Sequence, residues 1–347
     1  MKASETLPDV VDRVTQDYIA KRNKSGLAIG LFQQGKTLIR GYGQISGVSS
    51  YPAAETIFEI GSITKVFTGI SLAQLELEGV VGLDDRLTDH LPPNVSISPE
   101  AQAITLRHLA THTSGLPSLP HNFFTPTSDP LNPYAAYDTT ALYQALATVK
   151  LNHPPGRKME YSNLGMGLLG HLLTLKTGTS YEAIVKEIIC HPLGMVDTTI
   201  SLSFQQQQRL TPGHDLEGQV VPNWELNVLA GAGALRSTPK DMLKFIEASL
   251  GQTSPVKAAI ERSQVQQFEE STGAIGLAWQ LLNLPEGVTL HWHNGGTGGY
   301  SSFLAIDRTQ QTGIVLLANS GDRLTNDNSL DEMGAQILLI AAQIPME

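Results

Sequence analysis

Residues 58–70 read Phe58-Glu-Ile-Gly-Ser-Ile-Thr-Lys-Val-Phe-Thr-Gly-Ile70. A strand-like run meets Gly61, and a helix follows. From Ile63 to Glu78 the apolar residues Ile63, Phe67, Ile70 and Leu77 fall on one side, and Gly79 supplies the stop. Ser62 opens this helix and Lys65 follows three residues later, so hydroxyl and amine share one face, a turn apart. At a helix start, free N–H groups and the dipole favour developing negative charge. A nearby base and an electropositive seat are what an acyl-transfer serine needs. The same spacing also suits an ordinary N-cap serine, and spacing alone does not choose.

Ser-x-x-Lys occurs twice more. Ser237-Thr-Pro-Lys240 has Pro239 at a helix start and reads as an N-cap. Ser254-Pro-Val-Lys257 reads as a loop. Only at Ser62 does the motif open an apolar helix directly after a strand-like segment and a glycine.

Toward the amino terminus, Ser4 to Arg22 has helical periodicity at Leu7, Val10, Val11, Val14 and Ile19. Two short apolar runs, Gly26–Phe32 and Thr37–Gly43, flank Gln34-Gly35 and predict a hairpin. Toward the carboxy terminus, residues 83–189 show no good strand. Helices are expected at Thr105–Thr111, Thr140–Val149, Leu164–Lys176 and Tyr181–Ile189. A Pro-rich loop, Leu116 to Pro133, is long enough to be a lid over a cleft. Strands are expected at Val288–His293, Ser301–Ile306 and Gly313–Asn319, with a last helix at Leu330–Ile344. Strand-rich ends around a helical middle predict an α/β (α+β) fold, with an antiparallel sheet flanked by helices and an all-helical insertion. The expected division is a discontinuous α/β domain, 1–82 with 190–347, and a helical domain, 83–189, with the site between them.

The 347 residues, 41 % hydrophobic and 16 % charged, suffice for a large core and exclude a disordered chain. A net charge of −10 argues against nucleic-acid binding, which needs a basic stripe. No apolar run reaches the eighteen or so residues of a membrane span. The single cysteine, Cys190, rules out an internal disulfide and a thiolate metal cluster. Residues 1–9 carry Glu5 and Asp9 and no apolar run, so they do not read as a signal peptide. The compartment stays open.

Two further constellations bear on chemistry. Tyr161-Ser-Asn163 follows the rigid Pro154-Pro-Gly156 and precedes a helix, where it could present a phenol and an amide to a cleft. Ser162 or Asn163 would equally serve as an N-cap. His293-Asn-Gly-Gly296 ends a strand, and its glycines allow close approach of a ligand or another backbone. Gly296 could donate its N–H to an oxyanion. His108 and His112 have zinc-ligand spacing, but neither a neighbouring glutamate nor a third ligand is evident. They are expected to pack or hydrogen-bond, and no metal or cofactor is expected.

The motifs run in the order Ser-x-x-Lys, Tyr-x-Asn, then basic-x-Gly. In that order the sequence resembles the serine β-lactamase and penicillin-binding-protein superfamily, most of all class C β-lactamases and their esterase, D-aminopeptidase and DD-carboxypeptidase relatives. The resemblance spans nearly the whole chain, including ITLRHLATHTSGLP, YSNLGMGLLGHLL and HNGGTGGYSSFLAIDRTQQTGIVLLAN. It implies that Ser62 is the nucleophile, Lys65 and Tyr161 its proton partners, and Asn163 a substrate contact. It also implies that His293, Asn294, Gly295 and Gly296 line the substrate site, with the N–H groups of Ser62 and Gly296 as oxyanion hole. A literal Lys176-Thr-Gly178 is set aside because it ends a helix, whereas the superfamily's Lys-Thr-Gly lies on a strand. His293-Asn-Gly stands in that place, so attraction for an anionic substrate should be weak and should fade as the histidine titrates near pH 6.5. The expected activity is β-lactam opening through an acyl-enzyme. The alternatives are ester or D-amino-acid peptide hydrolysis, and a sensor that acylates without turnover. The resemblance also implies a small-molecule substrate, a monomer, and export where a leader has been removed.

Overall fold

The computed structural model describes residues 6–20, 26–44, 53–126, 128–321 and 329–346. Both ends of the expected first helix, Ser4–Arg22, lie outside those residues, and the last helix stops at Ala341 rather than Ile344. Helix α1 (Leu7–Ala20) leads to the hairpin β1 (Gly26–Gln33) and β2 (Lys36–Gly43). Its two-residue turn, Gln34-Gly35, has positive φ at both positions, +49° and +88°, the geometry that matches strand twist. The short β3 (Phe58–Glu59) then feeds α2 (Thr64–Leu77). Next come α3 (Leu106–Ala110), α4 (Thr139–Thr148), α5 (Asn163–Thr177), α6 (Tyr181–Val185), α7 (His191–Leu193) and α8 (Phe204–Gln207). Three short strands, β4 (Gly213–His214), β5 (Val220–Val221) and β6 (Arg236–Ser237), precede α9 (Pro239–Ser249) and α10 (Lys257–Gln264). The chain closes with β7 (Phe268–Glu270), β8 (Gly273–Ile275), β9 (Gln280–Asn283), β10 (Thr289–Gly296), β11 (Ser301–Asp307), β12 (Thr312–Ala318) and α11 (Leu330–Ala341).

Eight strands form one antiparallel sheet in the order β2-β1-β12-β11-β10-β9-β8-β7. Its central strands are buried on both faces. Leu27, Ile29 and Leu31 of β1 pack with α1 and α11, while Ala28 and Phe32 face the larger core with α2, α5 and α9. Ile314 and Leu316 of β12 alternate in the same way with Val315 and Leu317. Two-sided burial is why these strands read as unbroken apolar runs. The five apolar side chains of β1 alone are worth on the order of 10 kcal/mol of burial before chain entropy opposes it.

The three expected carboxy-terminal strands are present as β10, β11 and β12. The sequence reading lacked β7, β8 and β9, which run only three or four residues each. It also placed a single helix over Tyr181–Ile189. The α-helix stops at Val185, and a π-turn, Lys186–Cys190, continues it. Pro192 begins no new hydrogen bond there, since it has no N–H.

Candidate active site

Ser62 lies in a tight turn, Gly61–Ile63, between β3 and α2. β3 pairs with β6, and Ile60 donates its N–H to the Leu235 carbonyl at 3.0 Å, so the turn is tied to the chain on both sides. The N-cap of α2 is Ile63, without a side-chain cap. Ser62 Oγ therefore has a different occupation. It sits 2.8 Å from Lys65 Nζ and accepts a hydrogen bond from the Tyr161 hydroxyl at 2.6 Å. The N-cap of α5 is Ser162, whose Oγ accepts from the Gly165 N–H. That leaves the flanking Tyr161 and Asn163 free to turn toward Ser62 and Lys65.

Lys65 is fully buried. Besides Ser62, its Nζ reaches Asn163 Oδ1 at 2.8 Å and the Ala232 carbonyl at 2.6 Å, and it lies 4.7 Å from the Tyr161 ring centroid. Burial pushes its pKa well below the ordinary value of 10.5. Burial pushes the Tyr161 phenol upward, against a smaller opposing effect of the Ser62 hydrogen bond. Both shifts favour the neutral form. The hydrogen bonds balance in that state. A neutral amine gives two protons, to Asn163 and Ala232, and accepts one from Ser62, while Tyr161 donates to Ser62. With ammonium and phenolate the proton count is unchanged: Lys65 donates three times and Ser62 donates to Tyr161. The site thus holds two tautomers of one network.

β10 runs beside this turn. A Cβ on Gly295 would lie 2.2 Å from the Ile60 carbonyl oxygen and 2.9 Å from the Ser62 nitrogen, so only glycine permits the approach. Thr297 donates to the Tyr300 carbonyl across the turn that joins β10 to β11, and hydrogen-bonded pairs alternate along an antiparallel ladder. Gly296 consequently turns its N–H away from β11, toward the Ser62 turn; a Cβ on Gly61 would lie 2.7 Å from the Gly296 nitrogen. A cavity of about 320 Å³ opens here. Ser62, Tyr161 and residues 294–297 line it, together with Ser329 and Asp331 at the start of α11. Asn294 donates to Asp331 Oδ2 at 2.6 Å.

His293 departs from expectation. The sequence reading put it against substrate, titrating near neutral pH. Strand alternation puts it on the same face as Gly295, toward the Ser62 turn, but it is packed beneath the cavity and is 1 % exposed. Its Nδ1–H donates to the Asn294 carbonyl at 2.6 Å, and its ring lies 6.4 Å from that of Tyr161. Burial and the neighbouring Lys65 push its pKa down to about 3. The loop Leu116–Pro133 departs too. None of its described residues lines the Ser62 cavity, and Phe123 packs inward on Tyr134 and Tyr137.

His108 and His112 each accept a backbone N–H at Nδ1, from Thr105 and Ser162. Lys176-Thr-Gly178 ends α5, with Gly178 at φ +69°. A larger cavity, about 630 Å³, lies between α5 and the 224–236 segment. Its Glu182 carboxylate is already held by Thr199, Ile200, Ser201 and Lys186. Sequence reasoning missed the Ala232 carbonyl, Tyr134 behind Asn163, and Asp331, since no motif joins segments this far apart.

The family model for "Beta-lactamase" matches residues 11–338. The chain belongs to the β-lactamase family. Among curated relatives of this family, the D-alanyl-D-alanine-carboxypeptidase/endopeptidase AmpH of Escherichia coli is 27 % identical, over 99 % of this chain and 91 % of that protein. A β-lactamase of Yersinia enterocolitica is 26 % identical, over 89 % and 86 %. Among solved structures, a class C β-lactamase from Rhodobacter sphaeroides superposes with a TM-score of 0.83 at 23 % identity, covering 96 % of this chain and 99 % of that one. A β-lactamase/D-alanine carboxypeptidase from Yersinia pestis, complexed with citrate, gives 0.80 at 25 % identity, covering 96 % and 98 %. The eight-stranded antiparallel sheet with its helices is the β-lactamase/transpeptidase fold, and this β-lactamase-family chain is a serine hydrolase.

Proposed function

We propose that the chain hydrolyses amide or ester bonds through an acyl-enzyme on Ser62. One observation carries this reading: Ser62 Oγ is held between the fully buried Lys65 amine and the Tyr161 hydroxyl. A free tyrosine is only about 0.1 % ionised at pH 7, so it is a poor base alone. The neutral amine takes the Ser62 proton as Oγ bonds to the substrate carbonyl carbon. The N–H groups of Ser62 and Gly296 receive the developing oxyanion. As the carbon–nitrogen or carbon–oxygen bond breaks, the leaving atom takes the Tyr161 proton, and Lys65 returns one to Tyr161. Water then reverses the sequence: it gives a proton to the Tyr161–Lys65 pair, attacks the acyl carbon, and Ser62 recovers its hydrogen. The two residues act as a coupled pair. Asn163 orients Lys65 through its Oδ1.

Charge among the described lining residues supports a substrate class. Among the described residues lining the cavity there is no lysine or arginine, Asp331 is the one acid, and His293 is neutral behind it. That supports esters and peptide amides without a carboxylate beside the scissile bond over penicillins and cephalosporins, which carry one. The test is turnover of a chromogenic cephalosporin and of p-nitrophenyl butyrate side by side, with Ser62→Ala as control and intact-mass detection of the acyl adduct. Ester kcat/KM well above that of the cephalosporin is expected. The reverse would overturn the substrate assignment, turnover by Ser62→Ala the mechanism, and a persistent stoichiometric adduct would make the protein a sensor.

A further inference from the structure

We infer that His112 is the positioning residue for Tyr161, a three-point clamp that holds the phenol over Ser62. His112 follows α3 and is 1 % exposed. Its carbonyl accepts the Glu160 N–H at 2.8 Å, and its Nδ1 accepts the Ser162 N–H at 3.1 Å. These are the residues on either side of Tyr161. The third point is the ring, whose centroid lies 4.6 Å from that of Tyr161 at 36°. One residue thus fixes the backbone before Tyr161, the backbone after it, and one face of its side chain.

The backbone of His112 underlines the assignment. Its φ is +56°, the left-handed region, at the position after a helix end where glycine or asparagine costs least. A glycine would end α3 equally well but would make only the carbonyl contact. The histidine is explained by what its side chain does. The tautomer is set as well: Nδ1 accepts, so the proton sits on Nε2. An imidazolium could not accept from Ser162, and burial keeps the ring neutral. His112 does not line the cavity, so it acts through the residues it holds, Tyr161 above all.

The inference rests on the role given to Tyr161 above, and the test separates the two. His112→Gly relieves the backbone and removes both side-chain contacts, while His112→Asn keeps the tolerated backbone and an acceptor for Ser162. Misplacing a reacting group by about 1 Å costs on the order of 100-fold. With p-nitrophenyl butyrate, His112→Gly should lower kcat about 100-fold with KM within about threefold. His112→Asn should recover part of that loss. In a Tyr161→Phe background His112→Gly should cost nothing further, because contacting residues that act as a unit are non-additive. A normal kcat with only a lower Tm, or losses that multiply in the double variant, would overturn the clamp. A normal kcat in Tyr161→Phe alone would overturn the mechanism and not the clamp. In that case the Tyr161 ring carbon resonance, assigned by its absence in Tyr161→Phe, decides. It moves in His112→Gly if the clamp holds and stays put if it does not. Should His112→Gly fail to fold, His112→Asn with the same readouts carries the test.

Discussion

The same tetrapeptide pattern occurs three times, and two of its copies, at Ser62–Lys65 and at Ser237–Lys240, are treated in opposite ways. At the first, the lysine is fully buried, hydrogen-bonded to its own serine, and pushed toward the neutral form. At the second, Lys240 lies 53 % exposed beside Glu55, and that partner raises its pKa. Ser237 points away from it, to Thr198 at 2.8 Å, and Thr238 rather than Ser237 caps α9. Spacing makes a serine and a lysine neighbours. Removing water from the amine is what makes it a base.

The comparison can be broken at four points. Lys65→Met should lower kcat about 10³-fold, the range of a lost general base. A loss under tenfold would mean that Tyr161 alone activates Ser62. The same desolvation governs the histidines on that side of the sheet: His293 is pushed down to about 3, His291 to about 4, and His112 well below its ordinary value. Their folded pKa values lie below the unfolded value near 6.5, so between pH 6.5 and 5 the unfolded chain binds protons that the folded chain does not. Stability is full above pH 6.5 and falls as pH drops, by about 1.4 kcal/mol per pH unit for each histidine. Glu59, whose carboxyl burial pushes up, opposes this, while His108 and His171, also lowered by burial, add to it. Thermal melts should show Tm falling through that window, with a shallower slope in His291→Gln; a flat Tm would show that the histidines are hydrated. Ser237→Ala loses one buried hydrogen bond and should cost about 1 kcal/mol in a denaturant titration, with kcat unchanged. Lys240→Met should move Tm by no more than about 1 °C and leave kcat intact; a catalytic defect there would erase the contrast.

Much of this was legible from the sequence, for physical reasons. The runs at Gly26–Phe32, Ser301–Ile306 and Gly313–Ala318 announce strands because both of their faces are buried. Ser62, Lys65 and Tyr161 were found through their order along the chain, and the structure brings Lys65 and Tyr161 within hydrogen-bonding distance of Ser62 Oγ. The strands β7 to β9 were missed because three residues carry no period. The burial of His293 was misjudged because both faces of this strand are covered: in His291-Trp-His-Asn294 the histidines take the larger core's face and the tryptophan the face packed against Phe303 and α11. The His112 clamp was invisible because it spans 50 residues and depends on a backbone angle that no residue type announces.

The contact between β10 and the Ser62 turn carries a consequence for how the protein comes to life. Helices α2 and α5 form from neighbouring residues, but the amides of Ser62 and Gly296 meet only when a loop of more than two hundred residues has closed, which is slow relative to local structure. In refolding, the circular dichroism of the helices therefore returns first and hydrolysis last, so regained activity times the final zipping of the sheet rather than the collapse of the chain.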